Sequence, residues 1–277
     1  EDNNGYLLVG TENGGLNVFD HEKERFLHPY KNHPEFSNRD VSINAITKDS
    51  KGNLYIGTDQ KLLKLDETGN LRAVDPLPKE GITDFSNSFV RALQFDNNNK
   101  LWIGTTQGLF LYDPGTNFIE YVPITSASEI SKEVFVIFKD DSGLLWIGTY
   151  SNGLITADPD TKLIQQVELE PSIDRTNTIR AISKGTLGDY WIGTRGGMYV
   201  YSPSNGVSGL FRHDPRDSKS LANNSVLDIF HDINGETWIG TRGGLNLLAK
   251  SKHVFQNFTS MPNDNHYLNS SIIYALW

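Results

Sequence analysis

Cysteine is absent from the 277 residues, which removes disulfide bridges, thiolate metal sites and a cysteine nucleophile together. The compartment stays open, because secreted and periplasmic proteins also do without the residue. Long apolar runs are missing too. No stretch approaches the roughly 18 consecutive apolar residues of a membrane-spanning helix, and no signal peptide opens the chain. The first residues fall in mid-pattern, so targeting or anchoring segments are expected outside this sequence. Positive charge is short: 25 Lys and Arg against 34 Asp and Glu leave a net charge of −9. Nucleic acids are bound by a basic face, so neither they nor anionic lipids are expected partners. Amphipathic helical periodicity is also lacking, as no window repeats apolar residues at the 3.6-residue spacing. The composition, 37% hydrophobic and 21% charged, is nonetheless that of a folded globular protein and not of a disordered tail.

What the chain does contain is a repeat. VGT at 9–11, YIGT at 55–58 and WIGT at 102–105, 146–149, 191–194 and 238–241 are copies of one motif. The motif glycines, Gly10, Gly57, Gly104, Gly148, Gly193 and Gly240, stand 47, 47, 44, 45 and 47 residues apart. Within one unit four strand-length apolar runs follow one another, bounded by Asn, Gly, Asp or Pro. In the third unit they are SFVRALQFD (88–96), KLWIGTT (100–106), GLFLYD (108–113) and FIEYVP (118–123). Asp49, Asp96, Asp140 and Asp232 each stand eight residues before their glycine and open a tight turn between first and second strands.

Antiparallel four-stranded units at this period are the signature of propeller blades. The sequence therefore predicts an all-β chain, a β-propeller of four-stranded antiparallel blades with six repeats. Along the second strand Trp102 and Gly104 face one side, Leu101 and Ile103 the other. The indole would fill the gap between blades, and the glycine would let the next sheet come close. Structural packing is thus the first reading of every WIGT. The ends fit the same phase: NSSIIYALW (269–277) followed by EDNNGYLLVGT (1–11) aligns without a gap on residues 87–105. Residues 1–277 are accordingly expected to form a single propeller. Its last blade would be shared between a C-terminal strand (269–277) and N-terminal strands (1–30), which removes exposed sheet edges. If these residues are part of a longer array, seven blades would result instead.

The blade pattern V-x-A-I-x-x-D-x-x-G-x-L-W-I-G-T-x-x-G-G-L, seen from Val226 to Leu245, Val90 to Leu109 and Ile43 to Leu62, resembles the two-component regulator propeller repeat. HDPRDSKSLANNSV (213–226) is similar to that family's inter-blade connector. The resemblance implies a non-catalytic extracytoplasmic sensor of a hybrid two-component regulator. Its signal would be oligosaccharides from polysaccharide breakdown, and its location the periplasmic part of an inner-membrane receptor. It also implies neighbouring propeller or receptor domains beyond this chain, and a homodimer as a further partner arrangement. No cofactor is implied.

Strand order puts the long connectors (28–41, 76–88, 123–132, 168–178 and 212–225) and the links after WIGT on one face, and loops on a rigid scaffold are where binding usually resides. Three groups there are candidates. GTRGG recurs in adjacent units with Arg195 and Arg242 at equivalent positions, suited to gripping a carboxylate or sulfate bidentately; the alternative is that both are solvated or paired with acids. Thirteen residues before each glycine the sequence reads Asn44, Arg91, Phe135, Arg180, Leu227 and Tyr274, which would line a central channel or pack and pair around it. Tyr150 with Asn152, and Phe89, offer an aromatic face and an amide for a sugar, or simply packing. One position further on, Asp228 interrupts a column of Ala45, Ala92, Val136, Ala181 and Ala275. It would meet an arginine or a ligand, or be a satisfied structural carboxylate.

Little in the sequence supports catalysis. The nearest approach to a sialidase-type S-x-D-x-G-x-T-W box is Asp141, Gly143 and Trp146, with Lys139 in place of the serine. The seven histidines form no H-x-x-x-H pair, and there is no G-x-S-x-G elbow. A sensing module is the expectation, ahead of a protein-interaction or dimerisation scaffold and a carbohydrate-active propeller enzyme.

Overall fold

Runs of β-branched and aromatic residues closed by Asn, Gly or Asp fold as 24 strands among the described residues, none of which is helical. The computed structural model describes residues 5–30, 32–36, 41–79, 85, 88–124, 131–169, 178–185, 187–248, 255–260, 268 and 270–276. Strands β1 (Leu7–Thr11), β2 (Gly15–Asp20) and β3 (Arg25–Leu27) make the first sheet. Strands β4 (Ile43–Lys48), β5 (Leu54–Thr58), β6 (Leu62–Leu65) and β7 (Leu71–Ala73) make the second. The third holds β9 (Val90–Phe95), β10 (Leu101–Thr105), β11 (Gly108–Asp113) and β12 (Phe118–Val122), with β8 (Leu77–Pro78) parallel to β12 at its edge. The fourth is β13 (Val134–Lys139), β14 (Leu145–Thr149), β15 (Leu154–Ala157) and β16 (Ile164–Val167). The fifth is β17 (Ile179–Lys184), β18 (Tyr190–Thr194), β19 (Gly197–Ser202) and β20 (Gly206–Phe211). The sixth is β21 (Val226–His231), β22 (Thr237–Thr241), β23 (Gly244–Leu248) and β24 (Phe255–Phe258).

The fold is a six-bladed β-propeller. Two sheets depart from the expected four strands. The first shows three among the described residues, and β8 gives the third a fifth. Residues 270–276 carry no named strand; residues 269 and 277 of the expected shared strand lie outside the described residues.

Contacts divide the chain into two compact units, residues 1–125 with 132–139 and residues 126–131 with 140–277. In both, the motif glycine is where one sheet meets the next. A Cβ built on Gly57 would lie 2.5 Å from Val90 Cγ1, and one on Gly104 2.7 Å from Val134 Cγ1. In the second unit Gly193 faces Val226 Cγ1 at 2.7 Å and Gly240 faces Ile273 Cγ2 at 3.0 Å by the same construction. Real Cβ atoms do not sit that close to backbone or branched side chains, so only glycine lets a β-branched residue of the neighbouring segment seat against the motif. The expected close approach is therefore present, and it is made by one residue type at one register.

The tryptophans do more than fill space. In the second unit Asp140 Oδ1 accepts the backbone N–H groups of Ser142 and Leu144, closing the turn into β14. Its Oδ2 accepts the Trp146 indole N–H at 3.0 Å and the Tyr190 hydroxyl at 2.9 Å, while the Tyr190 ring stacks on the indole at 4.0 Å. Trp238 donates to Asp232 in the same way. In the fifth sheet Gly185 stands where the turn aspartate should be, and Asp189 supplies the carboxylate from the far side of the turn, 2.8 Å from Trp191 Nε1. Where Tyr55 replaces tryptophan, the Asn53 amide takes the second oxygen of Asp49.

Candidate ligand-binding site

The threonine of each motif shapes the link that follows it. In GTRGG, Thr194 Oγ1 donates to the Gly197 carbonyl at 2.9 Å and accepts the Gly196 N–H; Thr241 does the same with Gly244 and Gly243. Gly197 and Gly244 lie at φ of 133° and 140°, a left-handed conformation that side chains disfavour. The arginine between is pinned by its backbone: Arg195 N–H donates to the Thr178 carbonyl and Arg242 N–H to the Ser225 carbonyl. Both side chains are thereby directed to solvent, where both residues are exposed. Sequence reasoning named these arginines and overlooked the buried threonines that set them, although the invariant T of WIGT was the available signal.

Three of the candidate residues do come together in the second unit. The Arg195 guanidinium lies over the Tyr150 ring, 6.0 Å from its centroid, close enough for cation–π attraction. Thr178 Oγ1 donates to the Tyr150 carbonyl at 2.6 Å, tying that turn to the residue whose carbonyl also holds the Arg195 N–H. Asn152 is in the same turn, its N–H donated to Thr149 Oγ1 and its carbonyl accepting from Gln166. Tyr150 keeps 36% of its surface exposed, so an aromatic ring and a cation stand together, with Asn152 half-buried in the same turn. Arg242 occupies the equivalent place in the next sheet.

The other candidates are distributed differently. In the first unit Asn44 Nδ2 donates to the Val90 carbonyl, and Arg91 pairs with Glu133 while lying against the Phe135 ring. These residues interlock successive first strands, and the charge of Arg91 is already matched. In the second unit Arg180 is half-buried and Leu227 buried, whereas Tyr274 is 60% exposed. Asp228 Oδ2 accepts the Leu276 N–H and Oδ1 the Ile229 N–H. Burial pushes its carboxyl above the usual range, against the pull of those two N–H groups. Its visible task is to hold the segment around Leu276. Phe89 is exposed beside the Thr106 turn.

Of the connectors, residues 31, 37–40, 80–84, 86–87, 125–130 and 170–177 lie outside the described residues. The connector 212–225 is described and is tightly knotted. Asp214 N–H donates to Ser220 Oγ, His213 Nδ1 meets the Leu221 carbonyl, and Asn246 Oδ1 accepts the Ala222 N–H. Leu221 is fully buried in the core of the sixth sheet, which explains the Ser-Leu ending of the polar loop.

Comparison with known proteins agrees with these repeats. The family described as "Two component regulator propeller" matches residues 37–60, 84–107, 128–151 and 220–243. Residues 173–196, where Gly185 replaces the turn aspartate, fall outside those matches. By sequence, none of the curated proteins matches. Among solved structures, the chain is similar to the extracellular domain assigned to a hybrid two-component system of B. thetaiotaomicron, at 26% identity and TM-score 0.73 over 88% of this chain. The chain spans 31% of that structure's length. Virginiamycin B lyase of Staphylococcus aureus (12% identity, TM-score 0.64, 88% of this chain and 76% of that one) shares the fold alone. The same holds for PorZ of Porphyromonas gingivalis (18%, 0.68, 98% and 42%). Four segments of the chain thus match the two-component regulator propeller repeat, and the chain as a whole is similar to the extracellular domain of a hybrid two-component system.

Proposed function

We propose that this propeller is a non-catalytic sensor module on the extracytoplasmic side of an inner-membrane hybrid regulator, and that it answers to acidic oligosaccharides released from a polysaccharide. The observation that carries the reading is the family's repeat in four blades together with the 26% identical extracellular domain. The arrangement around Tyr150 supports the ligand class. A guanidinium already seated against an aromatic ring loses little freedom when it grips a uronate carboxylate or sulfate in a bidentate fork. The Tyr150 edge and the Asn152 amide suit a sugar's C–H surface and hydroxyls.

Calorimetry against a panel of neutral and acidic oligosaccharides tests this, with product analysis on the same samples. Saturable binding of acidic members without turnover is expected, and replacing both Arg195 and Arg242 with alanine should weaken it by about tenfold or more at nearly unchanged thermal stability. Unaltered affinity in the double variant would remove these residues from the site. Product formation would point to an enzyme. Silence across the panel with a concentration-dependent dimer would point to a scaffold.

A further inference from the structure

In three sheets an aromatic residue two before the motif glycine packs towards the third strand of the next sheet. Tyr55 meets Tyr112 at 6.3 Å between ring centroids, and Trp146 meets Tyr201 at 5.9 Å. Trp191 packs on the cluster containing Leu248. The pairing registers Leu54 with Leu65, Leu101 with Tyr112, Tyr190 with Tyr201 and Thr237 with Leu248 put these third-strand residues in one row. Between the first and second sheets the corresponding residues are Leu8 and Leu65, with no ring at either position.

Both leucines line a cavity of about 270 Å³ between the sheet β1–β3 and the sheet β4–β7, inside the first unit. An apolar cavity of about 150 Å³ suffices for benzene, so this one has room for a fused or substituted ring. Tyr6, Leu27, Tyr30 and Leu54 complete walls that are mostly apolar and phenolic. Asp66 and Glu67 stand at the same cavity, in the turn that follows β6. Asp66 Oδ1 accepts the Thr68 hydroxyl at 2.6 Å and the Asn70 N–H at 3.0 Å, which fixes the carboxylate in place and holds its carboxyl below the usual range. Glu67 is exposed.

We propose that this cavity binds a small aromatic amine, the ring occupying the space where other blades carry an indole or phenol and the ammonium resting against Asp66 and Glu67. Apolar walls with an anionic rim select for that combination: the ring gains burial and stacking, and the carboxylates reward a cation and repel an anion. The site is separate from the rim around Tyr150 and does not depend on the reading given to it.

The test is calorimetric titration of the whole chain with tryptamine, indole and indole-3-acetate. Tryptamine should bind saturably and at least about tenfold more tightly than either of the others, and Asp66→Asn with Glu67→Gln should erase most of that preference. Leu8→Trp restores the missing indole and should abolish binding; Leu65→Trp fills the same space from the other wall. Methyl resonances of Leu8 and Leu65 in the unmodified protein should shift on adding tryptamine. The proposal is overturned by no saturable tryptamine binding, by indole or indole-3-acetate binding as tightly, by unmoved Leu8 and Leu65 methyls, or by a folded filler variant that binds as well as the parent.

Discussion

Trp102 Nε1 donates to Asp96 Oδ2 at 3.0 Å, and the other oxygen of the same carboxylate accepts the N–H groups of Asn98 and Lys100 at 2.9 Å each. One side chain thus closes the turn between the first two strands and satisfies the only polar atom of an indole that is fully buried. Replacing Asp96 with alanine leaves that N–H and the turn amides without their acceptor. The expected loss is about 2–3 kcal/mol in urea unfolding. Trp102→Phe should cost measurably less in the Asp96→Ala background than alone, because the phenyl ring makes no demand on the carboxylate. Additive effects would mean the bond contributes nothing.

The fifth sheet allows the same idea to be run in reverse. A Cβ on Gly185 would lie 2.4 Å from Asp189 Oδ1 and 2.8 Å from Trp191 Nε1, so Gly185→Asp adds both a clash and a second negative charge. It should destabilise by about 1–3 kcal/mol. Combined with Asp189→Ala, which removes the obstructing carboxylate but not the close approach to the indole, the same substitution should return part of the stability lost in Asp189→Ala alone. A double variant as weak as the sum of the two would refute the exchange of carboxylates.

Gly57 and Val90 give the corresponding test of the seam between sheets. Gly57→Ala should cost about 1–3 kcal/mol by overpacking against Val90 Cγ1. Val90→Ala creates a small void on its own, but it removes the obstructing methyls, so the two changes together should fall short of their sum by at least about 0.5 kcal/mol in chemical denaturation.

Much of this was legible in the sequence because blades are local. A repeat near 46 residues fixes strand count, turn positions and the glycine register without any knowledge of distant contacts. What escaped were relations between residues whose link is made by folding. Asp96 and Trp102 were each noticed, one as a turn former and one as filler, and their six-residue spacing gave no hint of a hydrogen bond. Asp189 standing in for Gly185's missing carboxylate is invisible without coordinates, since it approaches from the opposite end of the turn. For Arg91 the sequence leaves open whether it lines a channel or pairs around it, because its partner Glu133 is 42 residues away in the chain. At the candidate site the arginines were found by their recurrence. The buried threonines that aim them were overlooked because their hydroxyls look inward.

Asp140 is one source of acid dependence. Burial raises its carboxyl, but the Ser142 hydroxyl, the Trp146 indole and the Tyr190 hydroxyl outweigh it and leave the group below its ordinary range. A carboxyl depressed in the folded state contributes stability above its unfolded value near pH 3.9, and that stability is lost as pH falls through the folded value. Asp140→Asn should therefore melt lower than the parent at neutral pH, with a gap that narrows below about pH 4. A gap that stays constant to about pH 3 would show that the carboxylate's charge plays no part.

The account rests on each motif indole being anchored by a carboxylate at its own turn, and tryptophan-labelled nitrogen NMR reads that most directly. The indole N–H groups of Trp102, Trp146, Trp191 and Trp238 should all be protected from hydrogen exchange, and Asp96→Asn, Asp140→Asn, Asp189→Asn and Asp232→Asn should each release one of them and leave the other three protected. Motif indoles that exchange freely in the unmodified protein, or that ignore the loss of their aspartate, would contradict it.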